Sequence, residues 1–306
     1  MGLLHPHDHP QHPDGGARNR AFRGLKIAFG ISLSLVVIEV LGAFWSGSLA
    51  LFADALHVAS DVFALGAALL AGYLAPRLKS ERQSYGFYRI EILAALLNGS
   101  ILLGMSFFII FKAISRWGQD AQVEGGLMLA VASFGLLANL LMLKVMRAGG
   151  LKNLNVRAAF LHVIGDTISS VTVIIGAMGV IILSSSWPDL IASLLVSGIL
   201  LVMSVRLSLE ALNVLMEGAP AHIDPKEVKE SLINNFSEIK AIHDFHIWEI
   251  TSHLFAMTAH IEAQVQSLED TTKLIDRINL WVKARYGSGH TTFQIEPISR
   301  PNECSS

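Results

Sequence analysis

Two apolar stretches of the chain carry the same short phrase. Leu56-His57-Val58 is followed by Asp61, and Leu161-His162-Val163 by Asp166, so each stretch sets a histidine four positions before an aspartate. On a helix, positions i and i+4 lie one turn apart on one face. Each phrase therefore puts an imidazole beside a carboxylate, and two such helices facing each other offer two nitrogens and two oxygens. That donor set suits tetrahedral Zn²⁺, and accepts Co²⁺, Ni²⁺ or Cd²⁺ less selectively. Two other readings stay open: each His/Asp pair bonds within its own helix, or the four groups relay protons. Against the first stands the cost of burying two carboxylates at bilayer depth without a cation. Asp54, one turn before His57, either fixes that imidazole's tautomer or faces an adjacent loop. Asn98 and Asn139 read as groups that hydrogen-bond between helices, and Glu39 is a further ionisable residue in an apolar run with no assigned part.

The elements that must carry these residues follow from composition. Of 306 residues, 52% are hydrophobic and only 16% charged, and the mean hydropathy is +0.50. A soluble domain has roughly 25% charged residues, so the surplus of apolar residues points to a polytopic membrane protein. Six spans are predicted, at 25–44, 49–75, 90–111, 126–146, 156–183 and 190–212. Arg18, Arg20 and Arg23 precede the first span and Lys26 lies at its start; Arg77, Lys79, Arg82 and Arg89 follow the second; Lys144 and Arg147 lie at the end of the fourth, and Lys152 and Arg157 between there and the start of the fifth. The opposite side has only Lys112 and Arg116, so the positive-inside rule places both termini in the cytoplasm. The polar start shows no removable signal segment. A net charge of -2 leaves no basic excess for nucleic acid, and the single cysteine, Cys304, excludes a disulfide framework or a thiolate cluster.

Beyond the sixth span the composition turns polar. A helix is predicted at 225–236, with Asp224 as its N-cap and Pro225 at its first position. Strands follow at 241–251 and 254–262, a second helix at 268–286 and a last strand at 291–296. The order αββαβ implies a small α+β layer with helices on one sheet face. The chain thus divides into a histidine-rich arm (1–24), a six-helix membrane domain (25–217), a cytosolic domain (218–300) and a tail (301–306).

These residues resemble the cation diffusion facilitators, the zinc-transporter family of divalent-metal/proton antiporters. The run Ser48-Leu49-Ala50-Leu51-Phe52-Ala53-Asp54-Ala55-Leu56-His57-Val58-Ala59-Ser60-Asp61 is similar to the family's second-helix signature. Tyr85-Gly86-Phe87-Tyr88-Arg89-Ile90-Glu91 resembles its lead-in to the third helix. Asn155 with His162 and Asp166 resembles the fifth helix, and His243-Asp244-Phe245-His246-Ile247-Trp248 the cytosolic domain. The resemblance runs from about residue 20 to 297. It implies a homodimer with a ferredoxin-like cytosolic domain and one transport site per protomer, at His57, Asp61, His162 and Asp166. The two-histidine version implies zinc preference. It also implies a cytosolic regulatory metal site drawn from His243, His260, His290 and Glu296, for which surface histidines on a sheet are the plain alternative. The loop 77–89 lacks the histidines some members carry, and a lone Cys304 cannot supply a terminal cysteine pair. His5, His7, His9 and His12 in the arm suit weak metal capture, or form a plain polar tail.

Because ligands must lose protons to bind a metal, protons and Zn²⁺ compete for one site. A site open alternately to two sides would export metal and import protons. The expectation is a non-enzymatic Zn²⁺/proton antiporter in the lipid of an inner (cytoplasmic) membrane. A membrane-anchored metal sensor and an intramembrane zinc hydrolase are the rivals. The hydrolase would need a vacant coordination position and a general base, and no HExxH-type base accompanies either phrase.

Overall fold

The computed structural model describes residues 15–74, 85–86, 89–119, 122–148, 154–251, 254–287 and 289–298. The arm histidines His5, His7, His9 and His12, the loop residues Arg77, Lys79 and Arg82, and Cys304 lie outside the described residues.

Six long helices come first: α1 (Gly15–Ser46), α2 (Leu49–Leu74), α3 (Arg89–Ser115), α4 (Gly125–Ala148), α5 (Leu154–Leu183) and α6 (Trp187–Leu215). Among the described residues, four stretches are long and apolar enough to cross a membrane: Arg89–Ser115, Gly125–Arg147, Phe160–Leu183 and Trp187–Leu215. A shorter apolar stretch, Ser32–Ser46, lies in α1, which itself starts at Gly15, ahead of the apolar run. With no water to satisfy the backbone in hydrocarbon, an apolar run of this length must form its hydrogen bonds within the helix.

Small residues set how closely the helices approach. A Cβ added at Gly176 of α5 would stand 2.8 Å from Ala192 Cβ of α6, and one at Gly179 would stand 2.7 Å from Pro188 Cβ. Larger residues there would wedge the pair apart, which is why small residues gather where membrane helices touch. Polar bonds add to this. Asn98 Nδ2 donates to Ser60 Oγ at 2.7 Å, joining α3 to α2, and Asn139 Nδ2 donates to Ser170 Oγ at 3.4 Å, joining α4 to α5, as expected for both asparagines.

The start of α2 is anchored by a residue that the sequence placed only in a connecting loop. Asp189, fully buried in the first turn of α6, accepts from Ser48 Oγ at 2.6 Å, Leu49 N at 3.0 Å and Ala50 N at 3.1 Å. These donors belong to the end of α2 that no intrahelical bond can satisfy, so a carboxylate from another helix completes it. Arg116 supplies a second tie through its bond to Gly47 O at 3.1 Å.

The C-terminal elements are α7 (Pro225–Asn235), β1 (Ile239–Thr251), β2 (Leu254–Ala263), α8 (Leu268–Tyr286) and β3 (Gly289–Glu296). The order matches the expected αββαβ, and Asp224 caps α7 by accepting from Lys226 N at 2.9 Å. The strands form one sheet in the order β1-β2-β3, with β1 antiparallel and β3 parallel to β2. Alternation decides the faces: Phe255, Met257, Ala259 and Ile261 are buried in one core with Val228 and Leu232 of α7 and Leu274, Ile278 and Val282 of α8. His260 and Glu262 alternate with them and point the other way, leaving a polar outer face.

By packing, the chain forms two compact units. One comprises Met1–Leu70 and Leu97–Val205; the other comprises Ala71–Leu96 and Arg206–Ser306. The second unit therefore includes the start of α3, where Glu91 Oε2 accepts from Thr251 Oγ1 at 2.9 Å and Arg89 pairs with Glu217 at 3.2 Å.

Candidate metal centres

The duplicated His/Asp phrases meet inside the first unit. One ligand atom from each of His57, Asp61, His162 and Asp166 can be chosen so that all four lie within 4.8 Å of one another. The shortest pairings run across the helices rather than along them. His57 Nε2 of α2 is 2.8 Å from Asp166 Oδ1 of α5, and His162 Nε2 of α5 is 3.3 Å from Asp61 Oδ2 of α2. The i,i+4 contact within α5, from His162 Nε2 to Asp166 Oδ2, is longer at 3.9 Å. Packing of each pair within its own helix is therefore not what this geometry offers. The two imidazole rings are 5.8 Å apart and tilted by 53°.

Exposure divides the cluster. The side chains of His57 and Asp166 are 7% and 14% exposed, whereas those of His162 and Asp61 are 42% and 34% exposed. The open pair lies nearer the C-terminal end of α2 and the N-terminal end of α5. Two neutral or paired donors per helix, one set deep and one set reachable, form a four-point N₂O₂ cage that a divalent ion could enter from one end. Each imidazole is placed to donate a hydrogen bond to a carboxylate of the opposite helix.

Among the described residues no hydrogen bond joins Asp54 to His57. Asp54 Oδ1 accepts from Ser169 Oγ at 2.6 Å, tying α2 to α5 one turn beyond the cluster. Nothing in the spacing of α2 pointed to Ser169, because the partner belongs to another helix.

The second cluster lies on the outer face of the sheet. His243 of β1 is the register partner of His260 of β2, and Glu262 of β2 is that of Glu296 of β3. His260 Nδ1 lies 2.9 Å from Glu296 Oε1, and His243 Nε2 lies 3.2 Å from Glu296 Oε2. One ligand atom from each of His243, His260 and Glu296 likewise lies within 4.8 Å of the others. Although Glu296 is near, His243 Nε2 is buried with no partner in hydrogen-bonding geometry among the described residues. A buried nitrogen left without a bond is costly, and a metal ion between the two histidines and Glu296 would satisfy it. The donor set fits a borderline divalent ion such as Zn²⁺.

His290 does not join this cluster. It pairs in register with Ala256 at the far end of β3, and its ring lies 5.5 Å from that of Tyr85. At ~3.3 Å per residue, the six positions between His290 and Glu296 put it about 20 Å away. Two acidic neighbours were missed instead. Glu262 Oε1 is 3.9 Å from His243 Nε2, and Asp244 Oδ2 is 3.7 Å from His260 Nε2. Asp244 reaches this face because β1 bulges between His243 and His246, with Asp244 at φ 48°. Its carboxyl is held below the usual carboxylate range, chiefly by the 2.9 Å hydrogen bond from His246 and further by the charge of His260 and His243. The adjacent His-Asp pair in the sequence was the one available signal, since aspartate tolerates this conformation better than most residues.

Comparison with known proteins matches both regions of the chain. Residues 25–216 match the cation efflux transmembrane domain, and residues 220–298 match the cytoplasmic domain of cation efflux proteins. A zinc transporter ZitB from Shigella flexneri is 39% identical, the match covering 98% of this chain and 95% of that protein. ZitB from Escherichia coli is 38% identical over 96% of this chain and 93% of its own length. A Bacillus subtilis protein named as a cadmium, cobalt and zinc/H(+)-K(+) antiporter is 36% identical over 89% of this chain and 88% of its own length.

Proposed function

The chain belongs to the cation efflux family, and on that premise we propose that it exports Zn²⁺ in exchange for protons, using His57, Asp61, His162 and Asp166 as the transport site. The observation that carries this reading is the crossed pairing of the four side chains between α2 and α5. Every group that would hold the metal is also one that would hold a proton. Zinc binding needs neutral imidazoles and ionised carboxylates, so loading the metal expels protons and loading protons expels the metal. Because the two halves of the cage sit on separate helices, a small shift of α5 against α2 changes all four distances at once. Co²⁺, Ni²⁺ and Cd²⁺ are further cargoes that such a mixed donor set would accept.

The exposed pair, His162 and Asp61, lies toward the ends of α2 and α5 that join the lysine- and arginine-rich segments. With those segments in the cytoplasm, the cage opens inward, ready to load metal for export. Both termini then lie on the cytoplasmic side of an inner membrane, with lipid around the six helices. The name of the Bacillus subtilis relative supports cation-for-cation exchange, and the names of the ZitB relatives support zinc as cargo. All three are named as transporters, which leaves the sensor and hydrolase readings without support. His243, His260 and Glu296 would form a regulatory zinc site in a homodimer, the family match to the cytoplasmic domain being the ground for a second copy.

The test is Zn²⁺ entry into liposomes that hold the protein and a trapped zinc dye, with and without an imposed pH gradient. Gradient-driven entry in the wild type that is lost in Asp61→Ala is the expected result. Entry that ignores the gradient, or that survives the substitution, contradicts the assignment.

A further inference from the structure

Glu39 lies in the interior of α1 at 1% exposure, and the transport cycle described above does not use it. Its carboxyl is pressed against α4: a Cβ added at Gly135 would stand 2.8 Å from Glu39 Oε1, with Ser170 Oγ of α5 3.9 Å from the same point. Only glycine at 135 leaves the carboxyl its place. Among the described residues, Glu39 Oε2 has no hydrogen-bond partner. The groups around it are oxygens and an amide. Asp54 of α2 accepts from Ser169, and Ser170 accepts from Asn139 of α4. The charges that act on Glu39 are those of Asp54 on α2 and Asp166 on α5, both acidic, while α4 contributes the uncharged Gly135 and Asn139. The nearest imidazoles are already engaged, His57 by Asp166 and His162 by Asp61.

A buried carboxylate with a bare oxygen and acidic neighbours calls for a cation that no side chain among the described residues supplies. The geometry points to a second cation site at Glu39, built from oxygens alone and separate from the zinc cage, that takes the monovalent counter-ion of the exchange, a proton or an alkali cation. Zn²⁺ favours imidazole nitrogen, and the cage next to this site offers two, whereas an all-oxygen set suits hard cations. The two sites share their helices. Asp54 stands one turn before His57 on α2, and Ser170 stands one turn after Asp166 on α5. A cation at Glu39 and a dication in the cage repel each other through the low-dielectric interior. Filling one site therefore favours emptying the other, which is what an exchanger requires, and the coupling is reciprocal.

This inference rests on the antiport reading, and the experiment separates the two. Full-length wild type, Glu39→Gln and Gly135→Ala are placed in liposomes with trapped zinc and pH dyes. One arm imposes a pH gradient with N-methylglucamine as the only other cation, and the other imposes a K⁺ gradient at equal pH. Zinc affinity is measured by calorimetry on the same monodisperse preparations. Glu39→Gln is expected to bind Zn²⁺ within about threefold of wild type, yet to lose at least about tenfold of gradient-driven Zn²⁺ flux, a loss in the range of allosteric couplings. Gly135→Ala keeps every ionisable group and crowds Oε1, and is expected to lose flux in the same direction. A loss seen in the pH arm identifies the occupant as a proton, and one seen in the K⁺ arm as an alkali cation. Unchanged flux in both variants overturns the inference, as does loss of zinc binding in Glu39→Gln, which would make Glu39 part of the cage. A wild type with no gradient-driven flux in either arm overturns the antiport reading and this one with it.

Discussion

In the membrane region the donors of the His/Asp cage reach across from two separate rods, α2 and α5, with no backbone bond between them. In the C-terminal region nearly the same donors, His243, His260 and Glu296, stand on three strands laced together by backbone bonds, at register positions that fix them side by side. The first arrangement holds its ligand distances only as long as two helices keep their rotation and depth. The second holds them as long as the sheet exists. On the proposed reading, one chemistry on two scaffolds would serve two ends: a cage held by two separate helices would suit cargo that must leave, and a cluster fixed by a sheet would suit an ion that reports its own concentration. The pairing differs in the same sense. In the cage the histidines meet carboxylates, His57–Asp166 and His162–Asp61, whereas in the sheet His243 Nε2 has no hydrogen bond among the described residues.

The sharpest way to break this comparison is to empty one side of it. Asp166→Ala removes the deeper of the cage's two carboxylates and leaves His57 without its 2.8 Å partner. Zinc flux is expected to fall by at least about 100-fold, since losing one member of a buried charged pair costs about 3–5 kcal/mol. Flux assays in liposomes read this directly, and a fall smaller than about twofold would remove Asp166 from the site.

Asp189→Asn probes whether α2 must be held at its start. The substitution weakens three bonds to Ser48, Leu49 and Ala50, and should lower stability by about 1–3 kcal/mol. Thermal unfolding in detergent measures it, with zinc flux falling in proportion to the folded fraction.

Glu296→Gln attacks the other cluster and sets the contrast from the opposite side. The variant should lose one bound zinc per protomer in equilibrium dialysis, while flux at saturating zinc stays within about twofold, the expected signature of a site that regulates without carrying cargo. A collapse of flux at all zinc concentrations would merge the two roles that the comparison keeps apart. The smallest effect belongs to His290→Ala: dialysis should show unchanged zinc stoichiometry, because this side chain contacts Tyr85 rather than the cluster.

How much of this could be read from the sequence depended on which interactions set each feature. The His/Asp phrases were readable because helical periodicity is local, and so were the αββαβ order and the cap at Asp224. The crossed pairing was not, because it depends on how α2 and α5 are rotated against each other, which neither helix encodes alone. Asp189 looked like part of a turn because its three partners lie about 140 residues earlier in the chain. Among the cytosolic residues, His290 and Glu296 share a strand face by parity, and parity cannot tell the near end of a strand from the far end. Asp244 and Glu262 were overlooked because a bulge and a cross-strand register, both products of pairing, bring them to the histidines.

The central claim is that one zinc ion sits in the cage with two nitrogens and two oxygens from α2 and α5. X-ray absorption at the zinc edge, on protein carrying His260→Ala and Glu296→Gln so that the sheet cluster cannot load, and at one zinc per protomer, tests it most directly. The account predicts a four-coordinate shell with two imidazole nitrogens at about 2.0–2.1 Å and two carboxylate oxygens at about 2.0–2.2 Å. A shell with one imidazole or none, or one completed by several waters, would contradict it.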